Sequence, residues 1–400
     1  MPFSVLSGWG FRTIKQPITI STSTKPSLLR RIFGNLAFLF NTGAALWLFL
    51  CLAASYISPL DAKYLALFSI STPFAIAANV LFIVFWIIGQ RKRRAVLSII
   101  TLAVCYKLIL AVVGWHYFSP KITAPTGTHL KVMTWNVHGM GIFDKPANRE
   151  TDDSIIALIE RENPDILCLP EFYTVFNNAL KPYSTNILKR CGYKEFRFKD
   201  DNSLGTKIYL GTAIFSKYPI RAFKDVPLHK YVYLLQCDIK LPGNQIVRTY
   251  FIHLQSFLLS NGEKTYIEEV KHRNLDIEMD KSKSFVRRFG EAYVKRAVQA
   301  DSAAAIIAQS PYPVIICGDF NDLPGSYTYT RMKANLADAF VRKGTGFGRT
   351  FNLFSPTLRI DYIFYDPSFL KITGYHSPRT RYSDHNPVIV DFMIPDSLAE

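Results

Sequence analysis

The chain has 400 residues, 49% of them hydrophobic, with 47 Lys and Arg against 31 Asp and Glu. That length suggests two or three domains, and that hydrophobic share is high for a chain confined to water. Residues 1–120 hold eleven Lys/Arg and one acid, Asp61 (+10), and the other 280 hold 36 against 30 (+6), so the charge does not by itself mark a nucleic-acid footprint.

A basic N-terminus over 1–31 carries Arg12, Lys15, Lys25, Arg30 and Arg31. Three apolar stretches follow, at 32–57, 64–89 and 95–118. Each is long enough to cross a bilayer as a helix, which takes roughly 20 apolar residues. Lys107 weakens the third, because a lysine at mid-membrane costs on the order of 3 kcal/mol unless it faces a neighbouring helix. The first apolar run starts too late and is too long for a cleaved signal peptide. The second and third stretches are joined by Arg91-Lys92-Arg93-Arg94, whereas the first and second are joined by a segment with only Lys63 balanced by Asp61. By the positive-inside rule the N-terminus and the basic loop are cytoplasmic. Three crossings then make this a multi-pass protein of the plasma or inner membrane, with everything after residue 120 on the non-cytoplasmic side.

Residues 119–130 read as a turn-rich linker. Beyond them a second domain, 131–396, shows apolar β-type runs at 131–137, 165–170, 211–217, 232–239, 246–255, 313–318, 359–365 and 387–394. Thr151–Asn163 opens with acids, repeats apolar residues at helical spacing and stops at Pro164, so it predicts a helix; a second helix is predicted over 285–309. Strands and helices mixed in this way give an α/β or α+β layered sandwich. The charged stretch 257–284 reads as a solvated helix and loop, or as a lid beside a site. Of the six cysteines, Cys51 and Cys105 lie in the spans and Cys168 and Cys317 in strand runs, while Cys191 and Cys237 are candidates for a disulfide. The spacing offers no CxxC and no zinc pattern, which argues against a cysteine-bound metal.

The chemistry gathers where apolar runs meet polar groups. Asn136 follows Lys-Val-Met-Thr-Trp, Glu171 follows Ile-Leu-Cys-Leu-Pro, and His253 sits in Phe-Ile-His-Leu-Gln. Asp319 and Asn321 end Val-Ile-Ile-Cys-Gly-Asp-Phe-Asn, Asp361 lies in Arg-Ile-Asp-Tyr, and Asp384-His385 precedes the last run. Singly, each could terminate a strand or cap a turn. Together they supply hard oxygen ligands at strand ends, the kind of set Mg²⁺ takes, with Mn²⁺ as an alternative. They also supply a histidine able to handle a proton near neutral pH. That combination suits in-line attack of water on a phosphate ester, in which charge on the non-bridging oxygens must be neutralised.

The series Thr-Trp-Asn136, Leu-Pro-Glu171, Gly-Thr-Ala-Ile-Phe-Ser-Lys-Tyr-Pro219, His253-Leu-Gln, Gly-Asp319-Phe-Asn321, Ile-Asp361-Tyr and Ser-Asp384-His385-Asn-Pro resembles the endonuclease/exonuclease/phosphatase superfamily, with its deoxyribonuclease I-like fold, over about 131–394. The resemblance implies a four-layer α/β/β/α sandwich, here preceded by transmembrane helices, with the site at one end of two packed sheets. It also implies roles. Asn136 and Glu171 would hold Mg²⁺, with Asp384 a further candidate ligand. Asp319 and Asn321 would orient the attacking water and contact the phosphate. His385 would be oriented by Asp361, and His253 would hydrogen-bond a phosphate oxygen. Either Asp319 or His385 could take the water's proton. Many relatives support the histidine equivalent to His253 with a glutamate, yet this chain has no Glu between Glu195 and Glu263. Arg296 and Gln299 read as packing or a network near the sheet end.

The expected function is therefore that of a membrane-anchored, Mg²⁺-dependent phosphoesterase. It is expected to be nuclease-like because no lipid-specific motif is visible. The alternative is a lipid-headgroup phosphodiesterase or phosphatase, like sphingomyelinases or inositol phosphatases. Its expected partners are a phosphate-ester substrate, nucleic acid or lipid or inositol phosphate, and the lipid bilayer. A non-catalytic binding protein on the same fold is disfavoured by the presence of every expected site residue.

Overall fold

The computed structural model describes residues 28–117, 127–141, 149–175, 187, 189–203, 208–229, 232–256, 279–352 and 357–395. Among the described residues, 28–40 belong to one compact unit and 41–395 to another.

Four helices come first: α1 (Leu28–Ala54), α2 (Phe68–Ile88), α3 (Lys92–Val104) and α4 (Tyr106–Val112). Both α1 and α2 are long and apolar enough to cross a membrane. The third expected span is not one straight helix. α3 and α4 are bent by 68° and make a third crossing only if the pair counts as one. The 13 residues of α3 rise about 20 Å, short of a bilayer core of roughly 30 Å. The bend has a packing reason. Leu108 and Val112 pack into the helical bundle, while Ala111 joins the core of the domain that follows. Lys107 is thus an exposed residue of α4 beyond the bend, not the centre of a span.

Within residues 41–112 the usual arrangement of polar and apolar groups is inverted. Ile70, Phe74, Leu81, Val84 and Ile88 face outward. Asn41 is buried between three helices, donating from Nδ2 to Ser98 Oγ (2.6 Å) and accepting from Trp86 Nε1 (2.7 Å). Asn79 Nδ2 donates to the Ala44 carbonyl at 2.9 Å. Small and polar residues between helices with aliphatic residues outside are what hydrocarbon solvent selects.

The rest is a two-sheet sandwich. The first sheet has the order β13-β14-β2-β3-β5-β4, with β2 at Gly127–Thr134, β3 at Ile166–Val175, β4 at Glu195–Ser203, β5 at Ile208–Ser216, β13 at Lys371–His376 and β14 at Val388–Pro395. The second has the order β10-β12-β9-β8-β7-β6, with β6 at Ile220–His229, β7 at Val232–Lys240, β8 at Ile246–His253, β9 at Val314–Asp319, β10 at Ala337–Asp338 and β12 at Asp361–Tyr365. The pairs β2/β3 and β8/β9 are parallel and the other neighbours antiparallel. Side-chain alternation along each strand, with its period of two, builds the layers. From β8 and β9, Val247, Phe251, Ile315 and Cys317 meet Val132, Ile166 and Cys168 between the sheets. Their alternates Tyr250, Ile252 and Ile316 face outward against Ala300, Ala303 and Ile307 of α6 (Met279–Ile307). On the opposite face α5 (Arg149–Glu162) buries Ile155 and Ile159 against Trp135, Leu167 and Phe215, each isoleucine contributing about 1.5–3 kcal/mol. This is the expected α/β/β/α order.

Some sequence expectations need correction. Cys191 and Cys237 are both free thiols. They cannot meet, because Cys191 packs outside the first sheet and Cys237 lies between the sheets. β3 does not stop at Glu171 but runs on to Val175 through a bulge between Leu169 and Phe172. β4, β6 and β13 were not anticipated; β4 and β6 are edge strands whose charged residues mask the apolar period. Of the proposed linker, residues 127–130 already belong to β2 and 119–126 lie outside the described residues. Of the charged stretch, 257–278 lies outside them too, and α6 starts at Met279.

The helices meet the sandwich through specific buried contacts. Ser55, just after α1, donates its hydroxyl to the Gly325 carbonyl. Ser69 Oγ, in the first turn of α2, lies 3.0 Å from Tyr293 Oη on α6. Arg359, 1% exposed, donates from Nη2 to the Ala111 carbonyl (2.6 Å) and from Nη1 to Asp338 Oδ2 (2.9 Å). After α4, β1 (Gly114–Trp115) pairs with β11 (Thr345–Gly346).

Candidate active site

All eight residues singled out in the sequence lie at the same end of the two sheets, where β8 and β9 finish and β12 begins. Register does much of the placing: His253 pairs with Asp319 across β8/β9, and Asp361 pairs with Asp319 across β9/β12. Gly318 permits it. A Cβ there would meet the Ile252 carbonyl oxygen at 1.9 Å, and its φ of +142° suits glycine.

His385 is buried, and its Nδ1 lies 2.9 Å from Asp361 Oδ2. Its Nε2 faces Asp319 Oδ2 at 3.8 Å. Burial would push the imidazole's pKa down, but the Asp361 and Asp319 carboxylates overcome it and hold the pKa up at about 10. Asp319 is itself raised, by burial and by Asp361, against the pull of His385 and His253 and the Asn321 N–H. That N–H donates to Asp319 Oδ1 at 2.8 Å, and Asn321 Nδ2 is pinned to the Leu254 carbonyl at 3.0 Å. Asp319, Asp361 and His385 have ligand atoms within 4.8 Å of one another. With Nδ1 against Asp361, Nε2 is the ring nitrogen that faces Asp319.

The carboxylates suited to a cation stand beside it. Glu171 occupies the β3 bulge with φ +52°. Asn136 Nδ2 donates to Glu171 Oε1 (2.9 Å) and Asp319 Oδ2 (3.2 Å), so it presents its nitrogen to them, while its Oδ1 accepts from the His138 N–H (3.1 Å). Glu171 is held at a pKa of about 2: burial would raise it, but contacts from His138, His253 and Asn136 outweigh that. The β14 end is tied in by Trp135 Nε1 donating to the His385 carbonyl (2.9 Å) and by Ser383 Oγ donating to the Asn136 carbonyl (2.7 Å).

His138 was missed by sequence reasoning. Its Nδ1 lies 3.4 Å from Glu171 Oε2 and 3.8 Å from Asp384 Oδ1, between the two carboxylates. The available signal was the Val-His-Gly that follows Asn136. Residues 138–141 all have positive φ, as do Glu171 and Asn321, so backbone strain concentrates here, as it does at functional sites. The Glu171 and Asp384 carboxylates that converge there are hard oxygen donors of the kind a divalent ion takes.

His253 Nε2 is buried and makes no hydrogen bond; Glu171 Oε1 is 3.7 Å away and Asp319 Oδ2 3.9 Å. Among the described residues no glutamate hydrogen-bonds that nitrogen. The turn after it is held by Gln255, whose N–H donates to Gln299 Oε1 (3.0 Å) and whose carbonyl accepts from Arg296 Nη1 (3.3 Å). Arg296 also pairs with buried Asp322 at 3.3 Å. A polar cleft of about 410 Å³ lined by Lys131, Arg161, Asp165, Lys217 and Asp391 lies at the opposite end of the first sheet. Its charges pair with one another, Lys131 with Asp391 and Lys217 with Asp165.

A family model described as a domain of unknown function matches residues 30–112. A curated relative, the UPF0294 protein VP2298 of Vibrio parahaemolyticus, is 27% identical over 140 residues, 35% of this chain and 44% of the relative. The match therefore spans less than half of that relative's length. Similar solved structures include an endonuclease/exonuclease/phosphatase from Beutenbergia cavernae (22% identity, TM-score 0.45, 67% of this chain and 72% of that one). Others are the human nocturnin catalytic domain with bound sulfate (16%, 0.47, 68% and 96%) and a mannosyl-6-phosphatase from Bacteroides thetaiotaomicron (16%, 0.43, 66% and 100%). The model of the Endonuclease/Exonuclease/phosphatase family, named for hydrolases of phosphoester bonds, matches residues 133–385, and the chain belongs to that family.

Proposed function

We propose that this chain is a membrane-anchored phosphoesterase that uses a divalent cation, Mg²⁺ or Mn²⁺, and water to cleave phosphate esters. One observation carries the reading: the Asp361–His385 pair, Asp319 and the unbonded Nε2 of His253 converge beside Glu171 and Asp384. Glu171 and Asp384 would hold the cation, with Asn136 against Glu171 as the neutral member of the set. The cation supplies charge neutralisation at the non-bridging oxygens. Asp319, with Oδ1 fixed by Asn321 and Oδ2 turned into the site, takes the proton from the attacking water. His385, flanked by carboxylates at both ring nitrogens, donates to the developing negative charge. His253 Nε2 donates to a phosphate oxygen.

Residues 32–118 act as the anchor and 131–396 as the catalytic domain. The sandwich contacts the ends of α1, α2 and α4, and Arg91–Arg94 lie at the far end of α2. That supports a non-cytoplasmic catalytic domain by the positive-inside rule. The net charge of +6 over residues 121–400 suits either a nucleic-acid strand or a lipid headgroup. The test is hydrolysis of bis(p-nitrophenyl) phosphate by the full chain in detergent. Turnover is expected with Mg²⁺ or Mn²⁺ and none with excess chelator. A wild-type chain inactive with both ions would end the reading.

A further inference from the structure

The placement of the helical bundle on the sandwich carries an inference about substrate. It rests on the phosphoesterase reading and on α1 and α2 entering a bilayer. Three buried hydrogen bonds between the two parts fall on segments that also carry site residues or the residues that hold them. Gly325, bonded by Ser55, lies six residues after Asp319, at most about 20 Å along a fully extended chain. Arg359, bonded to the Ala111 carbonyl, is two residues before Asp361. Tyr293, bonded by Ser69, is one helical turn from Arg296, which fixes the turn after His253. Lys63, in the connection between α1 and α2, reaches Glu291 at 3.9 Å, and a Cβ on Gly290 would meet its side chain at 2.6 Å.

The hydrogen bonds of Ser55, Ser69 and Arg359 are buried, and both parts belong to one compact unit. A flexible tether would let the site face any direction; this one fixes the site end of the sheets next to the helix ends. Those ends are ringed by exposed aromatics of the kind that settle at a membrane interface. Tyr56 and Tyr64 in the α1–α2 connection are 60% and 56% exposed, and Trp115 after α4 is 62% exposed. On the site's own rim, exposed Arg379, Arg381 and Tyr382 directly precede Ser383-Asp384-His385. Cationic side chains beside an aromatic suit an anionic headgroup layer.

We propose that the active site opens onto the headgroup layer of the bilayer entered by α1 and α2, and that its substrate is a phosphate ester carried by a lipid of that bilayer. Water adds its oxygen to phosphorus, the P–O bond to one ester alcohol breaks, and that alcohol leaves carrying a proton. The products are a phosphate of lower ester order and a free alcohol.

The test uses the full chain reconstituted into vesicles of phosphatidylcholine, phosphatidylglycerol, phosphatidic acid and a phosphatidylinositol phosphate in equal parts. Phosphorus NMR follows the lipid phosphates, with bis(p-nitrophenyl) phosphate and plasmid DNA offered in parallel. Lipid turnover is expected to exceed aryl diester turnover by at least tenfold in kcat/KM. Aryl diester cleaved with the lipids untouched, or DNA preferred over both, would overturn the lipid assignment and leave the phosphoesterase standing. No turnover of any substrate would remove the phosphoesterase itself, and the assignment with it. An independent reading of orientation comes from Arg381→Cys carrying a fluorophore, in vesicles with brominated acyl chains. Quenching well above that of the same label at Lys224→Cys on β6 is expected, and equal quenching would overturn the proposal.

Discussion

The helical bundle and the sandwich place their polar and apolar groups in opposite ways. In the sandwich, Phe251, Ile315 and Cys317 fill the interior and charged residues such as Lys224 and Asp225 face water. In the bundle, Asn41, Ser98 and Asn79 are inside and leucines, isoleucines and phenylalanines outside. A buried polar group in a water-soluble core is costly unless it is bonded. Between membrane helices it is adhesive, because hydrocarbon provides no competing apolar drive. At the junction both kinds of packing end in buried hydrogen bonds.

The largest expected effect breaks chemistry without breaking either fold. His385→Ala should lower kcat on an aryl phosphodiester by about 10²–10⁴-fold while the thermal melt stays that of a folded domain; an unchanged rate would remove His385 from the reaction. Arg359→Ala tests the junction. It strands Asp338, 1% exposed in its side chain, and should cost about 3–5 kcal/mol in chemical unfolding. A loss below 1 kcal/mol would show the ion pair to be dispensable. Removing residues 1–120 tests the same junction from the other side, since Arg359 then loses its Ala111 acceptor. About 1.5–3 kcal/mol of sandwich stability should be lost, whereas an independently stable 121–400 fragment would mean the helices merely tether it. The smallest effect sharpens the contrast of solvents. Asn41→Leu removes two bonds in the bundle, yet should cost only about 0.6–2 kcal/mol in detergent unfolding, with hydrolysis unchanged.

The parts legible in the sequence share a physical cause. Asn136, Glu171, His253, Asp319, Asp361 and His385 each interrupt, follow or precede an apolar β-run, and a polar group at the end of a buried strand has few purposes. His138 escaped because it lies in a left-handed turn off any strand, where periodicity is silent. The orientation of the Asn136 amide escaped as well, because it is set by two carboxylates distant in sequence, Glu171 and Asp319. The edge strands β4 and β6 escaped because their charged faces hide the alternation that marks the inner strands.

By itself the sequence determined the two apolar helices, the order of the strand-end residues and the class of chemistry they can perform. These depend on composition and local period, which a linear chain displays. Only the tertiary structure decided that α3 and α4 bend apart, that Cys191 and Cys237 lie in different layers, and that the helix ends bond to Gly325, Arg359 and Tyr293. Each of those outcomes depends on contacts between residues tens to hundreds of positions apart, chosen by how two packed sheets and a helical bundle fit together.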